Sequence, residues 1–141
     1  MTLNPKRLNR IISIEGWELS RLQMESASVQ ANITKTKQYL EDLDQKLDGL
    51  QSGVGVASLA SQVNRQRWFY LIGEKRIAAK QLVESLQHQL NEVQDELVAQ
   101  RARIKSLENL SSKLVQEIER DLARVGQQEI NDRYLAARHG A

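Results

Sequence analysis

The chain has 141 residues, of which 4% are aromatic and 27% charged, with one proline and no cysteine. This composition resembles that of coiled coils and long helices more than that of a layered core, although Gln and Ser are also frequent. The absence of cysteine excludes disulfide and thiol chemistry. A balance of 20 Lys plus Arg against 18 Asp plus Glu is too even to argue for nucleic-acid binding.

Asn4 is a candidate N-cap, and Pro5 suits the first position of a helix. From there the apolar residues step by four and three. They run Leu8, Ile12, Glu15, Leu19, Leu22, Ser26, Val29, Ile33, Thr36, Leu40, Leu43, Leu47 and Leu50. Ten of these thirteen are apolar, a sustained heptad and hence a coiled-coil seam. Glu15, Ser26 and Thr36 interrupt it; polar residues in a seam lower stability and fix register. Gly16 weakens the helix locally by about 1 kcal/mol relative to alanine.

Gly49, Gly53 and Gly55 crowd the segment GLQSGVGVAS, the one clear break in the chain. It reads as a turn over about residues 50–57, between a first helix at about 5–49 and a second at about 58–138, which Ser58 or Ser61 would cap. The whole is an all-α fold, a two-helix antiparallel coiled-coil hairpin in one domain, with the second helix longer than the first.

The second helix opens unlike the rest. Trp68, Phe69 and Tyr70 hold half of the six aromatic residues, among Arg65, Arg67, Lys75, Arg76 and Lys80. Three consecutive helical residues fan over about 200°, so at least one ring should be exposed or covered from outside the hairpin. The basic run reads either as a solvated helix face or as a docking surface for an acidic partner. The heptad then resumes with Phe69, Ile72, Arg76, Ala79, Val83, Leu86, Leu90, Val93, Leu97, Gln100, Ile104, Leu107, Ser111, Leu114, Ile118, Asp121 and Val125. Phe69 and Ile72 can then serve the seam, which leaves Trp68 or Tyr70, with Lys75 and Lys80, facing outward. Gly126 is a point where the helix could end or loosen.

Helices of about 45 and 80 residues rise roughly 67 Å and 120 Å. A turn near residue 54 sets Pro5 opposite about residue 103. The stretch from Ile104 on is then unpaired, yet it carries a stripe of Leu107, Leu110, Leu114, Ile118, Leu122 and Val125. Such a stripe needs a partner, a fold-back or a second copy of the chain.

Chemistry is sparse. His88 and His139 have no companions at metal-ligand spacing. Asp42–Asp44 and Glu117–Glu119 are two residues apart and face different sides of a helix. GLQSGVGVAS lacks the Gly-Lys-Ser/Thr of a phosphate loop. A two-helix hairpin offers no water-excluding pocket, so neither an enzyme nor a cofactor or metal is expected. No apolar run is long enough to span a membrane, and the N-terminal residues lack the apolar core of a signal peptide. The chain is therefore expected to stay in the compartment where it is made, as an interaction protein.

Four features in order are similar to the flagellar export protein FliJ family and its injectisome counterparts, the coiled-coil stalk proteins of type III secretion. They are the opening KRLNRIISIEGWELSRLQ, the Gly/Ser turn near one third of the chain, the block RWFYLIGEKRI, and the tail QQEINDRYLAAR. The resemblance spans nearly the whole chain. It implies a cytoplasmic protein at the inner-membrane export apparatus, with the hexameric export ATPase, the cytoplasmic domain of the export-gate membrane protein and export chaperones as partners. By match, the gate-binding surface falls on Phe69, Ile77 and Lys80 with Gly73 and Arg76, next to Trp68 and Tyr70. Gly73 departs from the family, which tends to be apolar there, and Leu43, Leu47 and Leu50 stand where tyrosines are common. The paired termini, with Arg7, Arg10, Asp132 and Tyr134, are the segments that would meet the ATPase ring. The alternatives are the injectisome equivalent, a structural coiled-coil dimer and a holdase chaperone.

Overall fold

The computed structural model describes residues 4–52 and 59–140. The fold is an all-α hairpin of two helices, α1 (Pro5–Ser52) and the longer α2 (Leu59–His139). Gly53, Gly55 and Ser58 of the expected turn lie outside the described residues; Ser61 lies inside α2 and does not precede it.

The start of α1 follows from its first residues. The Arg7 backbone N–H donates to Asn4 Oδ1 at 2.8 Å, and Leu8 N–H donates to the Asn4 carbonyl at 3.1 Å. Asn4 is thus the N-cap, and Pro5 takes the position where a missing N–H costs nothing. At the other end, α1 runs past the expected end at Gly49 to Ser52. The support is tertiary: Arg65 Nε donates to the Leu50 carbonyl at 2.7 Å, satisfying one of the last four acceptors of the helix. In α2, Gly126 does not end the helix either. One glycine costs about 1 kcal/mol, which flanking residues of good helix propensity offset. Arg138 and His139 in the last turn complement the negative end of the helix dipole.

The helices divide into two compact units. In one, Arg21–Leu97, α1 and α2 pack antiparallel: Arg65 meets Leu50, Arg76 meets Asp44, and Val29, Ile33 and Leu90 form a buried cluster with Leu86 against it. In the other, the start of α1 up to Ser20 packs with α2 from Val98 on. Here Gln100 meets Glu15, and Leu8 is only 1% exposed.

All thirteen seam positions of α1 are buried or half-buried, and so is every α2 seam position from Ile72 to Leu114. The heptad ends where it lacks a partner. Ile118, Asp121 and Val125 are exposed: α1 begins at Pro5, and nothing among the described residues covers them. Phe69 is also exposed rather than seated in the seam. At that end of the hairpin Arg65 turns inward onto Leu50, and Ile72 is the first buried apolar residue among the described side chains of α2, which leaves Phe69 on the flank.

The pairing register differs from the expected one. The contacts of Leu50 with Arg65 and of Asp44 with Arg76 centre on about residue 59, not 54. Glu15 consequently meets Gln100 and Arg103. The shift carries α1 over Ile104, Leu107, Ser111 and Leu114, all half-buried. The unpaired part of α2 therefore begins at about Val115, some ten residues later than expected.

Candidate docking surface

Trp68, Phe69 and Tyr70 are all exposed, at 57%, 42% and 66%. The seven residues expected to form one surface divide three ways. Phe69, Tyr70, Gly73, Ile77 and Lys80 lie within about 100° of arc on α2 and share an outward face. Ile77 is well exposed there, Lys80 is exposed, and Gly73 is half-buried. Tyr70 Oη donates to Glu74 Oε1 at 2.8 Å, one turn on. That hydrogen bond and the negative charge of Glu74 raise the phenol above its ordinary value of 10.0.

Arg76 does not belong to that face. Its Nε sits 2.7 Å from Asp44 Oδ1 without an aligned N–H···O bond, a charge–charge contact across the hairpin. Both side chains keep substantial exposure, so the pair contributes about 1 kcal/mol at most. Its value is in closing one flank of the seam and pinning register.

Trp68 belongs to the opposite flank. It borders a groove of about 530 Å³ between the helices, with Leu43, Leu50 and Ile72 below and Tyr39 facing it. An adjoining hollow continues it to Ala78 and Leu82, sharing Tyr39 and Lys75. Tyr39 is 44% and Leu82 50% exposed. The run of basic residues is thus not one patch. Arg65 reaches Leu50, Arg76 reaches Asp44, Lys75 rims the groove, and Lys80 faces outward.

Sequence reading assigned no role to the α1 side of the groove: Lys35, Tyr39 and Lys46. A signal was present. Trp68, Lys75 and Leu82 recur every seven residues beside the seam, as do Tyr39 and Lys46. Only the register of one helix against the other places the two sets on the same side.

The terminal residues are not brought together. Arg7, Arg10, Asp132 and Tyr134 are exposed, and no contact joins the first two to the last two among the described residues. Asp132 lies 18 residues beyond Leu114, about 27 Å of helix. Asp132 and Tyr134 also point to different sides, being two residues apart. Of the apolar stripe, Leu107 and Leu114 are half-buried under the start of α1, whereas Leu110, Ile118, Leu122 and Val125 are exposed.

Among the described residues no group of His, Asp and Glu is arranged to hold a metal ion, and no helix is long and apolar enough to cross a membrane. Comparison with protein-family models, with curated proteins and with solved structures finds no match to this chain.

Proposed function

We propose that the protein is a non-catalytic docking hairpin that works as a coupling component of a type III export apparatus, of the FliJ kind. One observation carries the reading: three consecutive rings and Ile77 stand in water beside a seam that needs none of them. Burying Phe69, Tyr70 and Ile77 in a partner would each contribute about 1.5–3 kcal/mol of apolar transfer, before the costs of association. Large aromatic side chains are the usual anchors of such contacts. The sequence resemblance supplies the partner. The cytoplasmic domain of the export-gate protein takes the outward face of Phe69, Tyr70, Gly73, Ile77 and Lys80, and the export ATPase takes the terminal segments. Chaperone exchange would use the same cytoplasmic location at the inner membrane.

The test is capture of the purified gate domain and of the ATPase by the full-length chain. Phe69→Ala/Ile77→Ala should abolish gate capture with helicity at 222 nm unchanged. Failure of the unaltered chain to capture either protein refutes the export reading.

A second reading has its own observation. Ile118, Leu122 and Val125 form an exposed stripe on α2 past the start of α1. A structural dimer through that stripe predicts a concentration-dependent sedimentation coefficient; a monomer throughout the micromolar range removes it.

A further inference from the structure

The two flanks of the turn-proximal seam are built differently. On one, Arg76 and Asp44 bridge the helices. On the other, the groove carries Lys46 from α1 and Lys75 from α2 beside Trp68, with Lys35 one hollow further along. Among the described residues no carboxylate lines either hollow. None of the three lysines has an ion-pair partner among the described residues. Flanking positions of a coiled coil ordinarily carry opposite charges, and like charges brought together across an interface are unfavourable. Asp42 stands one turn before Lys46 on the same side of α1 but pairs with none of the three, so the flank keeps a net positive charge.

The groove is also short of apolar cover. Leu43 and Ile72 are buried beneath it, while Tyr39, Trp68 and Leu82 stand on its walls largely in water. Those walls recur at heptad spacing outside the hairpin's own seam. From Trp68 to Leu82 the groove follows α2 for about 21 Å, room for some four helical turns.

We propose that this groove receives an acidic amphipathic helix from a partner protein, packed as a third strand of the coiled coil. Its apolar stripe covers Tyr39, Trp68 and Leu82, and its Glu or Asp flanks reach Lys35, Lys46 and Lys75. The shape excludes a lipid surface, because a flat bilayer cannot reach a floor set between helices about 8–10 Å apart. The charge disfavours a second copy of this chain. Its own free stripe at Ile118–Val125 has Glu117, Glu119 and Asp121 beside it but also Lys113, Arg120 and Arg124, a balanced border and not an acidic one. The occupant follows from charge and shape on a face separate from that of Tyr70 and Ile77, so the inference stands or falls apart from the export reading.

Trp68 reports on the site. With Trp17→Phe it is the sole tryptophan of the full-length chain. The probe is a synthetic 21-residue helix with leucine at the a and d positions and glutamate on both flanks, titrated beside the same peptide with lysine flanks and beside phosphatidylglycerol vesicles. The glutamate peptide should shift Trp68 emission to the blue with saturation and bind more weakly as salt rises. Lys46→Glu/Lys75→Glu should weaken it by at least about tenfold. Lys46→Gln/Lys75→Gln should lie between, and Lys37→Glu, an exposed lysine outside the groove, should have no effect. Helicity at 222 nm must match throughout. The proposal is overturned if the peptide leaves Trp68 unshifted at several hundred micromolar, if the lysine peptide binds as well, if charge reversal changes nothing, or if only vesicles produce the shift.

Discussion

Replacing Gln100 with leucine restores an apolar heptad position and should nonetheless destabilise the protein. Gln100 is 9% exposed, and its Nε2 donates to both the carbonyl of Glu15, at 3.0 Å, and Glu15 Oε2. The Glu15 side chain is itself only 14% exposed and has one other close partner, Arg103 Nη2 at 3.1 Å from Oε1. Gln100→Leu gains about 1–2 kcal/mol of apolar burial. It also removes a donor from a nearly buried carboxylate, a loss of about 3 kcal/mol when the group is charged. The net expectation is a loss of about 1–2 kcal/mol. Glu15→Leu leaves the Gln100 amide bonded to the backbone carbonyl and releases Arg103 into water, so it should be close to neutral. The double substitution puts two leucines face to face and should be about 2–4 kcal/mol more stable than the natural chain, as when buried polar clusters give way to packed apolar ones. The coupling between the sites is then several kcal/mol, well outside the additivity of independent positions. Urea unfolding followed at 222 nm measures it, with an unchanged denaturant slope confirming that stability alone has moved. Additive effects within about 0.5 kcal/mol, or a stabilising Gln100→Leu on its own, would refute the reasoning.

Leu43 is 2% exposed beneath the groove, so Leu43→Ala should cost about 2–5 kcal/mol, seen as a lower urea midpoint. Gly126 lies inside α2, where an added Cβ meets nothing within 4 Å. Gly126→Ala should therefore gain up to about 1 kcal/mol of local helix stability, read as slower amide exchange in the flanking turns. Glu74→Gln should lower the Tyr70 titration toward its ordinary value, followed by phenolate absorbance in a set of single-tyrosine variants. The sign follows from the raised folded value: the Tyr70–Glu74 interaction is fully present below pH 10 and is lost as pH rises through the folded-state value. An unchanged Tyr70 titration would show that the hydrogen bond does not persist in solution.

The heptad was legible because its period is local. A side chain's place around its own helix depends only on counting, and all thirteen positions read along α1 are covered. The cap at Asn4 and the first helical position at Pro5 were legible for the same reason. What counting along one helix cannot supply is the register of that helix against the other. A centre of pairing near residue 59 rather than 54 moves every cross-helix partner by about ten positions. That offset decided that Glu15 meets Gln100, that Arg76 meets Asp44, and that the seam positions Ile104, Leu107, Ser111 and Leu114 are half-buried.

The same distinction runs through the turn-proximal surface. The sequence by itself determined that Trp68, Phe69 and Tyr70 could not all be buried, because consecutive residues diverge by about 100° around a helix. Only the tertiary structure decided which flank each ring joins, because that depends on where the opposing helix lies. It set Phe69 outside the seam, tied Tyr70 to Glu74, and brought Trp68 beside Tyr39, 29 residues away in the chain. A groove belongs to two helices at once, and its residues share a side only when the register between them is set.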